Sequence, residues 1–268
     1  MIKDTLGDKM KEFEMVEAGR KLSYPICIRL DGRGFSKFTR HLKRPYDERL
    51  SSLMIDATKA LVIETGARIG YTQSDEISLI ILDPNIEKET TGYFGLRAQK
   101  LCSITAAFVS AFFAREISSR IPERAGSSPL FDSRAWSVPT EIDAAAVLLW
   151  RELDARKNAA TMAASCYFSH NFLLNKTGAE KIALLKDKGV DFDQYPNFFK
   201  RGTYIKRLEV RGKFSPEEIE NLPEKHAARS NPNLEFVRFR IEEFDMPYPL
   251  VQIKNRTEFL FRNDEPMI

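Results

Sequence analysis

The order of the secondary-structure elements predicted for residues 26–138 constrains the fold of this chain more than any other feature. Four apolar runs predict strands, and two segments with apolar residues at helical spacing predict helices. The strands are expected at 26–30, 67–72, 77–82 and 131–138, and the helices at 48–65 and about 93–115. The resulting order, β-α-β-β-α-β, is that of the ferredoxin-like unit, an antiparallel four-stranded sheet with two helices on one face. We therefore predict an α/β (α+β) fold.

Local signals support these assignments. Asp47 is placed to cap the first helix and Gly66 to end it. The polar turn at 73–76 lies between two apolar runs, which predicts a hairpin. The core face of the second helix is expected to carry Leu101, Ile104, Phe108, Ala111 and Phe112.

The remainder of the chain is predicted to be helical and mixed. A helical stretch begins at 140–141 and leads through 154–158 into another helix at 159–174. Further helices start at Thr177 and Ser215, and strands are expected at 204–210 and 235–241. We place the boundary at 138–141, which divides the chain into residues 1–139 and 140–268.

Composition excludes several classes of protein. Gly and Pro number 13 each among 268 residues, which argues against collagen-like and disordered chains. Three widely separated histidines argue against a histidine-built metal site, so that any metal is expected on carboxylates. The N-terminus lacks an apolar signal-peptide core, and the most apolar run, 104–114, is shorter than the about 20 residues of a membrane span. We expect a soluble, cytoplasmic protein without a membrane partner.

A basic stretch at 200–213 is interleaved with aromatic residues, although the net charge of the chain is only +3. Lys and Arg beside aromatic rings suit a polyanion surface. A solvated strand at a sheet edge explains the same pattern equally well. The basic residues are Lys200, Arg201, Lys206, Arg207, Arg211 and Lys213, and the aromatic residues are Phe198, Phe199 and Tyr204.

Three acidic residues are brought together by the predicted topology. Asp31 ends the first strand, while Asp75 and Glu76 lie in the turn of the hairpin beside that strand. Oxygen ligands without histidine or thiolate select Mg²⁺ or Mn²⁺, and a pair of such ions serves phosphoryl transfer. A turn that is polar only because turns are polar is the alternative.

The loop that follows Asp31 suits an anion. Its sequence, GRGFSK at 32–37, has two glycines that let backbone N–H groups approach a phosphate, and Arg33 and Lys37 supply positive charge. A lone GxG is a weak motif, but its position beside Asp31 makes a nucleoside triphosphate plausible. The chain has no Walker or GxGxxG sequence, which argues against a P-loop or Rossmann nucleotide-binding fold.

Taken together, these segments resemble the tRNA-His guanylyltransferase family and its Thg1-like relatives. The matching segments are RLDGRGF at 29–35, QSDE at 73–76, FDSR at 131–134 and KRGT at 200–203, with LGDKMK at 6–11 fitting the family's opening. The resemblance spans most of the chain up to about residue 205. Beyond about residue 214 it gives no match.

The resemblance implies addition of nucleotides to the 5′ end of tRNA in the 3′–5′ direction. It implies a polymerase-like palm, two Mg²⁺ ions, and GTP and ATP as substrates. Residues 1–139 would form the palm-like catalytic domain, and 140–268 would complete the palm and contribute RNA-binding surface. The expected partners are tRNA and nucleoside triphosphates, and a homo-tetramer (a dimer of dimers) is expected because family members are usually tetramers.

Residue roles follow by position in the matching segments. The resemblance implies Asp31, Asp75 and Glu76 as catalytic acids, with Asp31, the carbonyl of Gly32 and Asp75 as metal ligands. It implies nucleotide binding by Asp31, Gly32, Arg33, Gly34, Phe35, Ser36, Arg44, Asp47, Ser74 and Asp75. It implies contacts to RNA or phosphate by Arg29, Arg97, Arg134, Arg151, Asp154, Asn158, Lys200 and Arg201.

One segment departs from the family pattern. Eukaryotic members that guanylylate histidine tRNA carry HINNLYN, whereas here only Asp154 and Asn158 remain of that region. This resembles the relatives that repair truncated tRNA 5′ ends by copying a template base. Two rival functions are a palm-fold nucleotide cyclase, which would not need the basic stretch, and a non-catalytic RNA-binding palm protein, which would not need three intact acids.

Overall fold

A six-stranded antiparallel sheet organises the computed structural model, with the strand order β4-β1-β3-β2-β5-β6. The residues that the structure describes are 9–10, 13, 15, 19–82, 92–231, 233–244 and 246–268. The strands are β1 (Ile26–Gly32), β2 (Ile69–Gln73), β3 (Glu76–Ile81), β4 (Phe131–Ser137), β5 (Thr203–Lys213) and β6 (Glu235–Phe244). The order β4-β1-β3-β2 is that of the predicted ferredoxin-like unit, so the fold class is confirmed.

One face of the sheet is covered by α2 (Glu48–Thr65) and α3 (Ala98–Arg120), with the short α1 (Phe35–Phe38) at one end. The Asp47 carboxylate accepts a hydrogen bond from the backbone N–H of Arg49 at 3.0 Å and so caps α2. Gly66 ends α2 with a φ of 67°, in the left-handed region that favours glycine. Both predicted helix signals are therefore confirmed.

The predicted core face of α3 is partly wrong: Leu101 is buried and Phe108 and Phe112 pack against the core, whereas Ile104 and Ala111 are exposed. The helix buries an i, i+4 row, and Ile104 is 39 % exposed. The helix is apolar around most of its circumference, so apolar spacing alone did not distinguish the side that packs on β4 and α2. The buried row is Leu101, Thr105, Val109, Phe113 and Ile117.

By length and composition α3 also passes the test for a membrane-spanning helix, and it is the only described helix to do so. The helix is longer than the apolar run 104–114 from which no span was expected. Core helices pass the same test, and the buried row of α3 belongs to the hydrophobic core of the sheet layer. Since 28 % of the apolar window of α3 is buried, packing accounts for part of its apolar character.

The opposite face of the sheet is partly covered by α4 (Glu141–Ala164), which begins with a capping box between Thr140 and Asp143. The predicted division of this segment at 154–158 is wrong, because α4 runs without interruption through it. Those five residues contain neither Gly nor Pro, so nothing in them breaks a helix. Short helices follow: α5 (His170–Leu173), α6 (Gly178–Asp187), α7 (Asn197–Lys200), α8 (Pro216–Asn221), α9 (Ala227–Ser230) and α10 (Arg256–Phe261).

Residues beyond 139 also contribute to the sheet itself. β5 pairs with β2 and β6 pairs with β5, so both strands extend the sheet from the edge of the ferredoxin-like unit. The division into 1–139 and 140–268 stays a prediction. Of the N-terminal segment 6–11 that contributed to the resemblance, residues 6–8 and 11 lie outside the described residues.

Candidate active site

The three predicted acids, Asp31, Asp75 and Glu76, lie together where β1 ends and β3 begins. We call this end of the sheet the acidic edge. Along β1 the side chains alternate, so Ile28 and Leu30 pack under α2 and α3 while Asp31 points to the other face. Asp31 stands directly opposite Glu76 in the register of β1 and β3. The backbone N–H of Gly32 donates to the carbonyl of Asp75 at 3.0 Å, which ties the end of β1 to the hairpin turn.

Burial makes this cluster electrostatically unusual. Burial raises the pKa of Asp75, and the negative charge of Asp31 raises it further. The Ser74 hydroxyl donates to Asp75 Oδ1 at 3.1 Å and opposes that shift. The Asp31 carboxylate forms no hydrogen bond or ion pair with side chains in the described part of the chain. Two close carboxylates without a cationic partner of their own provide a site for a positive charge.

Glu76 differs from these two aspartates because its charge is compensated. Arg151 donates from Nε to Glu76 Oε1 at 2.5 Å and from Nη2 to Glu76 Oε2 at 2.7 Å. Burial raises the pKa of Glu76, and the Arg151 guanidinium opposes this shift. Arg151 also donates to Asp154 Oδ2 at 3.0 Å. Both oxygens of Glu76 are therefore occupied by a residue of α4.

The donor set of Asp31, Asp75 and the Gly32 carbonyl fits a magnesium ion. Within the described ranges, no group of three or more His, Cys, Asp or Glu side chains is arranged to hold a metal. Mg²⁺ does not require such a group, because it is commonly held by one or two carboxylates and completes its octahedron with water and substrate phosphates. The two uncompensated aspartates match that pattern, whereas Glu76 is already bound to Arg151.

A cavity of about 400 Å³ opens beside the hairpin turn. Its walls come from α1, the loop before α2, the turn and the end of α4. Asp75 belongs both to this wall and to the acidic edge. The lining residues are Phe35, Ser36, Thr39, Leu42, Lys43, Arg44, Pro45, Tyr46, Asp47, Leu50, Ser74, Asp75, Met162 and Ser165. Six of the ten residues implied for nucleotide binding are among them.

Two of these six have clear structural roles in the wall. The Phe35 ring is buried and packs on Phe38, Phe113 and Phe131. The Asp47 carboxylate accepts hydrogen bonds from Arg49 and from the backbone of residue 43, and the bonds from Arg49 lower the pKa of Asp47. Both residues hold the shape of the cavity, and direct contact with a nucleotide stays a prediction for them.

The glycine loop lies between the acidic edge and the cavity. Gly34 caps α1 with a φ of 68°, which allows the chain to turn from β1 into that helix. Arg33 is exposed, and its backbone N–H donates to the carbonyl of Leu130 at 2.8 Å. Among the implied nucleotide-binding residues, Asp31, Gly32, Arg33 and Gly34 do not line the cavity. They connect it to the acidic edge.

The chain is similar to a known protein family and to several individual proteins. The family model described as Thg1, tRNAHis guanylyltransferase, matches residues 7–139. An uncharacterized protein, R259 of Acanthamoeba polyphaga mimivirus, is 30 % identical over 238 residues, which are 79 % of this chain and 80 % of that protein. A tRNA(His) guanylyltransferase of Neurospora crassa is 27 % identical over 80 % of this chain and 78 % of its own length.

Two solved structures share the whole fold. A bacterial tRNA(His) guanylyltransferase (Thg1)-like protein in complex with ATP has a TM-score of 0.74 and 25 % identity, covering 97 % of this chain and 100 % of that one. Such a protein in complex with GTP has a TM-score of 0.69 and 26 % identity, covering 96 % and 100 %. The chain belongs to the tRNAHis guanylyltransferase family. It is accordingly an enzyme of the nucleotidyltransferase class, with tRNA nucleotidyltransferase activity.

Within this family framework, two of the arginines implied to bind RNA or phosphate share the face of Asp31. Arg29 and Arg134 are register partners on β1 and β4. Arg134 is exposed, and its Nη2 donates to Asp132 at 3.3 Å. Asn158 is exposed on α4, about one helical turn beyond Asp154. Arg134 and Asn158 are therefore accessible to a large polyanionic substrate, whereas Arg29 is half-buried.

The other implied phosphate contacts are engaged within the fold. Arg201 donates from Nη2 to Asn197 Oδ1 and to the carbonyl of Met246, each at 3.0 Å. Lys200 Nζ donates to the carbonyl of Asp193, and Arg97 is half-buried. The contacts of Arg151 to Glu76 likewise occupy its guanidinium. Phosphate binding by these four residues stays a prediction.

The basic stretch 200–213 does not form one continuous surface for binding a polyanion. Tyr204 and Lys206 are buried, and Lys206 Nζ donates to the carbonyl of Phe259 at 2.7 Å. The polyanion interpretation overlooked that alternate residues of β5 face the layer formed by α4 and α10. Arg207, Arg211 and Lys213 lie on the outer part of the strand, where they are half-buried or exposed.

Sequence reasoning missed several residues of the site. Asp132 stands opposite Asp31 on β4, so β3, β1 and β4 carry an acidic residue each at this level of the sheet. The register of the predicted strands was the signal that could have identified it. Met162 and Ser165 line the cavity from the end of α4, and no local motif marks them. Trp150 lies beside Arg151 and is half-exposed.

Proposed function

We propose that this enzyme adds nucleotides to the 5′ end of tRNA in the 3′–5′ direction, by template-dependent repair of truncated ends, by guanylylation of histidine tRNA, or by both. One observation carries the proposal. Asp75 belongs both to the acidic edge and to the wall of the 400 Å³ cavity, so a nucleotide in the cavity would have its phosphates beside the carboxylates. The ATP and GTP complexes of the Thg1-like relatives support nucleotides as the occupants.

The proposed reaction has two steps. In the first step the 5′-phosphate of the tRNA attacks the α-phosphorus of ATP (or GTP), which releases pyrophosphate and leaves a nucleotidylated 5′ end. In the second step the 3′-hydroxyl of GTP or another nucleotide attacks the 5′ phosphorus of the tRNA, and the activating AMP (or GMP) leaves. A pair of bound Mg²⁺ ions would supply neutralisation of phosphate charge. The protein's own contribution is mainly positioning: Asp31 and Asp75 present oxygen ligands, and the loop offers the backbone N–H groups of residues 34–36 and the Arg33 side chain to the phosphates.

Template-dependent repair is favoured by the α4 segment. Only Asp154 and Asn158 remain of the segment that histidine-specific members carry. Arg151 holds Asp154 at 3.0 Å, so in this chain that segment supports the ion pair at Glu76. A Watson–Crick pair with a template base would then position the incoming nucleotide in place of dedicated protein contacts.

The remaining parts of the proposal concern the setting of the enzyme. Its partners would be tRNA and nucleoside triphosphates, and its assembly a homo-tetramer (a dimer of dimers) in the cytoplasm. Exposed Arg134 and half-buried Arg29 on the face of Asp31 support a polyanionic substrate rather than the small substrate of a cyclase.

The deciding experiment incubates the purified protein with labelled GTP, Mg²⁺ and either intact or 5′-truncated tRNA. Transfer of label to the tRNA 5′ end is the expected result. Formation of a cyclic nucleotide without tRNA would favour the cyclase, and RNA binding without any transfer would favour the non-catalytic protein.

A further inference from the structure

Trp150 presents an aromatic surface beside the acidic edge. It lies on α4 next to Arg151 and is 51 % exposed. The guanidinium carbons of Arg151 and Arg29 lie 4.4 Å and 5.6 Å from the ring centroid. Both arginines also act on Glu76, one by its ion pair and the other through its charge. Two arginines therefore contact the ring, while about half of the Trp150 side chain stays open to solvent.

An exposed apolar side chain needs no special explanation when it stands alone. Ile142, on the first turn of the same helix, is such a residue and is 71 % exposed. Trp150 differs because two guanidinium groups contact its ring by cation–π interactions and hold it in place. The ring is thus an aromatic platform held by two arginines, beside the carboxylates of the acidic edge.

The chemistry of this surface matches an unpaired nucleobase. Aromatic side chains bind single-stranded RNA by stacking, while neighbouring arginines neutralise its phosphates. Arg29 and Arg134 provide that charge on the same face. Binding of an apolar protein surface here would remove Arg29 and Arg134 from water without compensating their charges. The phosphates of RNA would compensate them, so charge complementarity favours RNA.

The position of Trp150 distinguishes the RNA from the incoming nucleotide. Trp150 is not part of the wall of the cavity that would hold the nucleoside triphosphate. A base that reaches Trp150 is therefore contributed by the other reactant. We propose that Trp150 stacks an unpaired base at the end of the tRNA acceptor stem and so positions the 5′ end over the acidic edge. This inference rests on the proposed function, whose tRNA substrate it uses.

Fluorescence can test the inference because the chain contains only two tryptophans, Trp136 and Trp150. The Trp136→Phe variant leaves Trp150 as the only indole, and Trp150→Phe leaves Trp136. Each is titrated with 5′-truncated tRNA, and separately with GTP, in EDTA so that no turnover occurs. We expect tRNA to quench the Trp150 signal saturably, whereas GTP alone leaves it unchanged.

Affinity measurements provide the second test. Trp150→Ala should weaken tRNA binding by about 5- to 100-fold, with Trp150→Phe retaining part of the affinity. The slope of log K against log salt should stay as in the wild type, because no phosphate contact is lost. Arg134→Ala should instead flatten that slope. Ile142→Ala is the control for loss of exposed apolar surface, and thermal melting checks that each variant is folded.

Three results would overturn the inference. Trp150→Ala could bind tRNA as tightly as Ile142→Ala does, or GTP could quench the Trp150 fluorescence while tRNA does not. The Trp150 fluorescence could also change with protein concentration alone. The last would mean that a second copy of the chain covers the ring. Quenching by tRNA without nucleotide addition would support stacking and refute the proposed function. Nucleotide addition by the wild type together with unaltered tRNA affinity in Trp150→Ala would support the proposed function and refute stacking by Trp150.

Discussion

Arg151 and Glu76 form a two-pronged ion pair between α4 and the acidic edge of the sheet, with donor–acceptor distances of 2.5 and 2.7 Å. Their side chains are only 9 % and 14 % exposed. The pair fixes the helix that carries Trp150, Asp154 and Asn158 against the strand that carries the carboxylates. It also compensates the charge of Glu76, whereas Asp31 and Asp75 remain available to bind a cation.

Removing Arg151 should be costly for the fold. Arg151→Ala leaves the largely buried Glu76 without its ion-pair partner, and we expect a loss of about 3 kcal/mol in the free energy of unfolding. Urea denaturation measures this loss. Adding Glu76→Gln to Arg151→Ala should restore much of the stability, because the uncompensated charge is then gone. Strictly additive effects of the two substitutions would contradict the ion pair.

Asp75 should be dispensable for folding and essential for activity. Asp75→Ala removes a half-buried carboxylate that is repelled by Asp31, so the melting temperature of the metal-free protein should stay the same or rise. Nucleotide addition should fall at least about 100-fold, since charge stabilisation worth several kcal/mol is lost from the transition state. Asp187→Ala, at an exposed acid of α6, is the control. Near-normal activity of a folded Asp75→Ala protein would exclude Asp75 as a metal ligand.

Glu152 should make stability depend on pH. It is 4 % exposed and accepts hydrogen bonds from the Tyr204 hydroxyl at 2.8 Å and from the backbone N–H of Leu250 at 2.7 Å. Burial raises the pKa of Glu152 despite these bonds. A raised carboxyl pKa means that the folded state holds this proton more tightly than the unfolded state. The resulting stability is present below the ordinary pKa of the carboxyl and is lost as pH rises through its folded pKa.

The matching variant is Glu152→Gln, which does not titrate and retains groups able to bond Tyr204 and Leu250. Urea denaturation between pH 4 and 7 compares it with the wild type. The wild type should lose stability relative to the variant as pH rises, by at most about 1.4 kcal/mol per pH unit. A stability difference that stays constant across this range would show that Glu152 does not titrate as described.

Filling the cavity should weaken nucleotide binding without unfolding the protein. Ser165 is exposed at the end of α4 and lines the cavity, so Ser165→Trp places a large ring inside it. We expect the KM for the nucleoside triphosphate to rise about tenfold or more at an unchanged melting temperature. Ser103→Trp, at an exposed position of α3, is the control. An unchanged KM in Ser165→Trp would place the nucleotide elsewhere.

The sequence predicted those parts of the molecule that depend on local pattern and chain topology. Helix caps at Asp47 and Gly66 are local, and the meeting of Asp31 with Glu76 follows from strand order. The Arg151–Glu76 pair could not be predicted, because its partners are 75 residues apart and meet only through the packing of α4 on the sheet. The burial of Lys206 escaped prediction because it depends on α10, a helix near the C-terminus that covers it.

The core face of α3 illustrates a different limit. Its residues are apolar on several sides, so the direction of burial is decided by β4 and α2 and not by the helix's own spacing. The lining of the cavity could likewise be predicted only in part from the sequence. Ser36, Arg44 and Ser74 lie in recognisable segments, whereas Met162 and Ser165 come from a helix end that carries no motif.

The most direct measurement concerns the template base of the tRNA. The protein is given tRNAs that lack their first nucleotide, with each of the four bases at position 72, together with Mg²⁺, ATP and labelled nucleotides. The account predicts that the added nucleotide is the complement of base 72 in every case, and that intact histidine tRNA ending opposite A73 is a poor acceptor. Efficient addition of guanosine opposite A73, regardless of base 72, would contradict template-dependent repair and assign the enzyme to histidine-tRNA guanylylation.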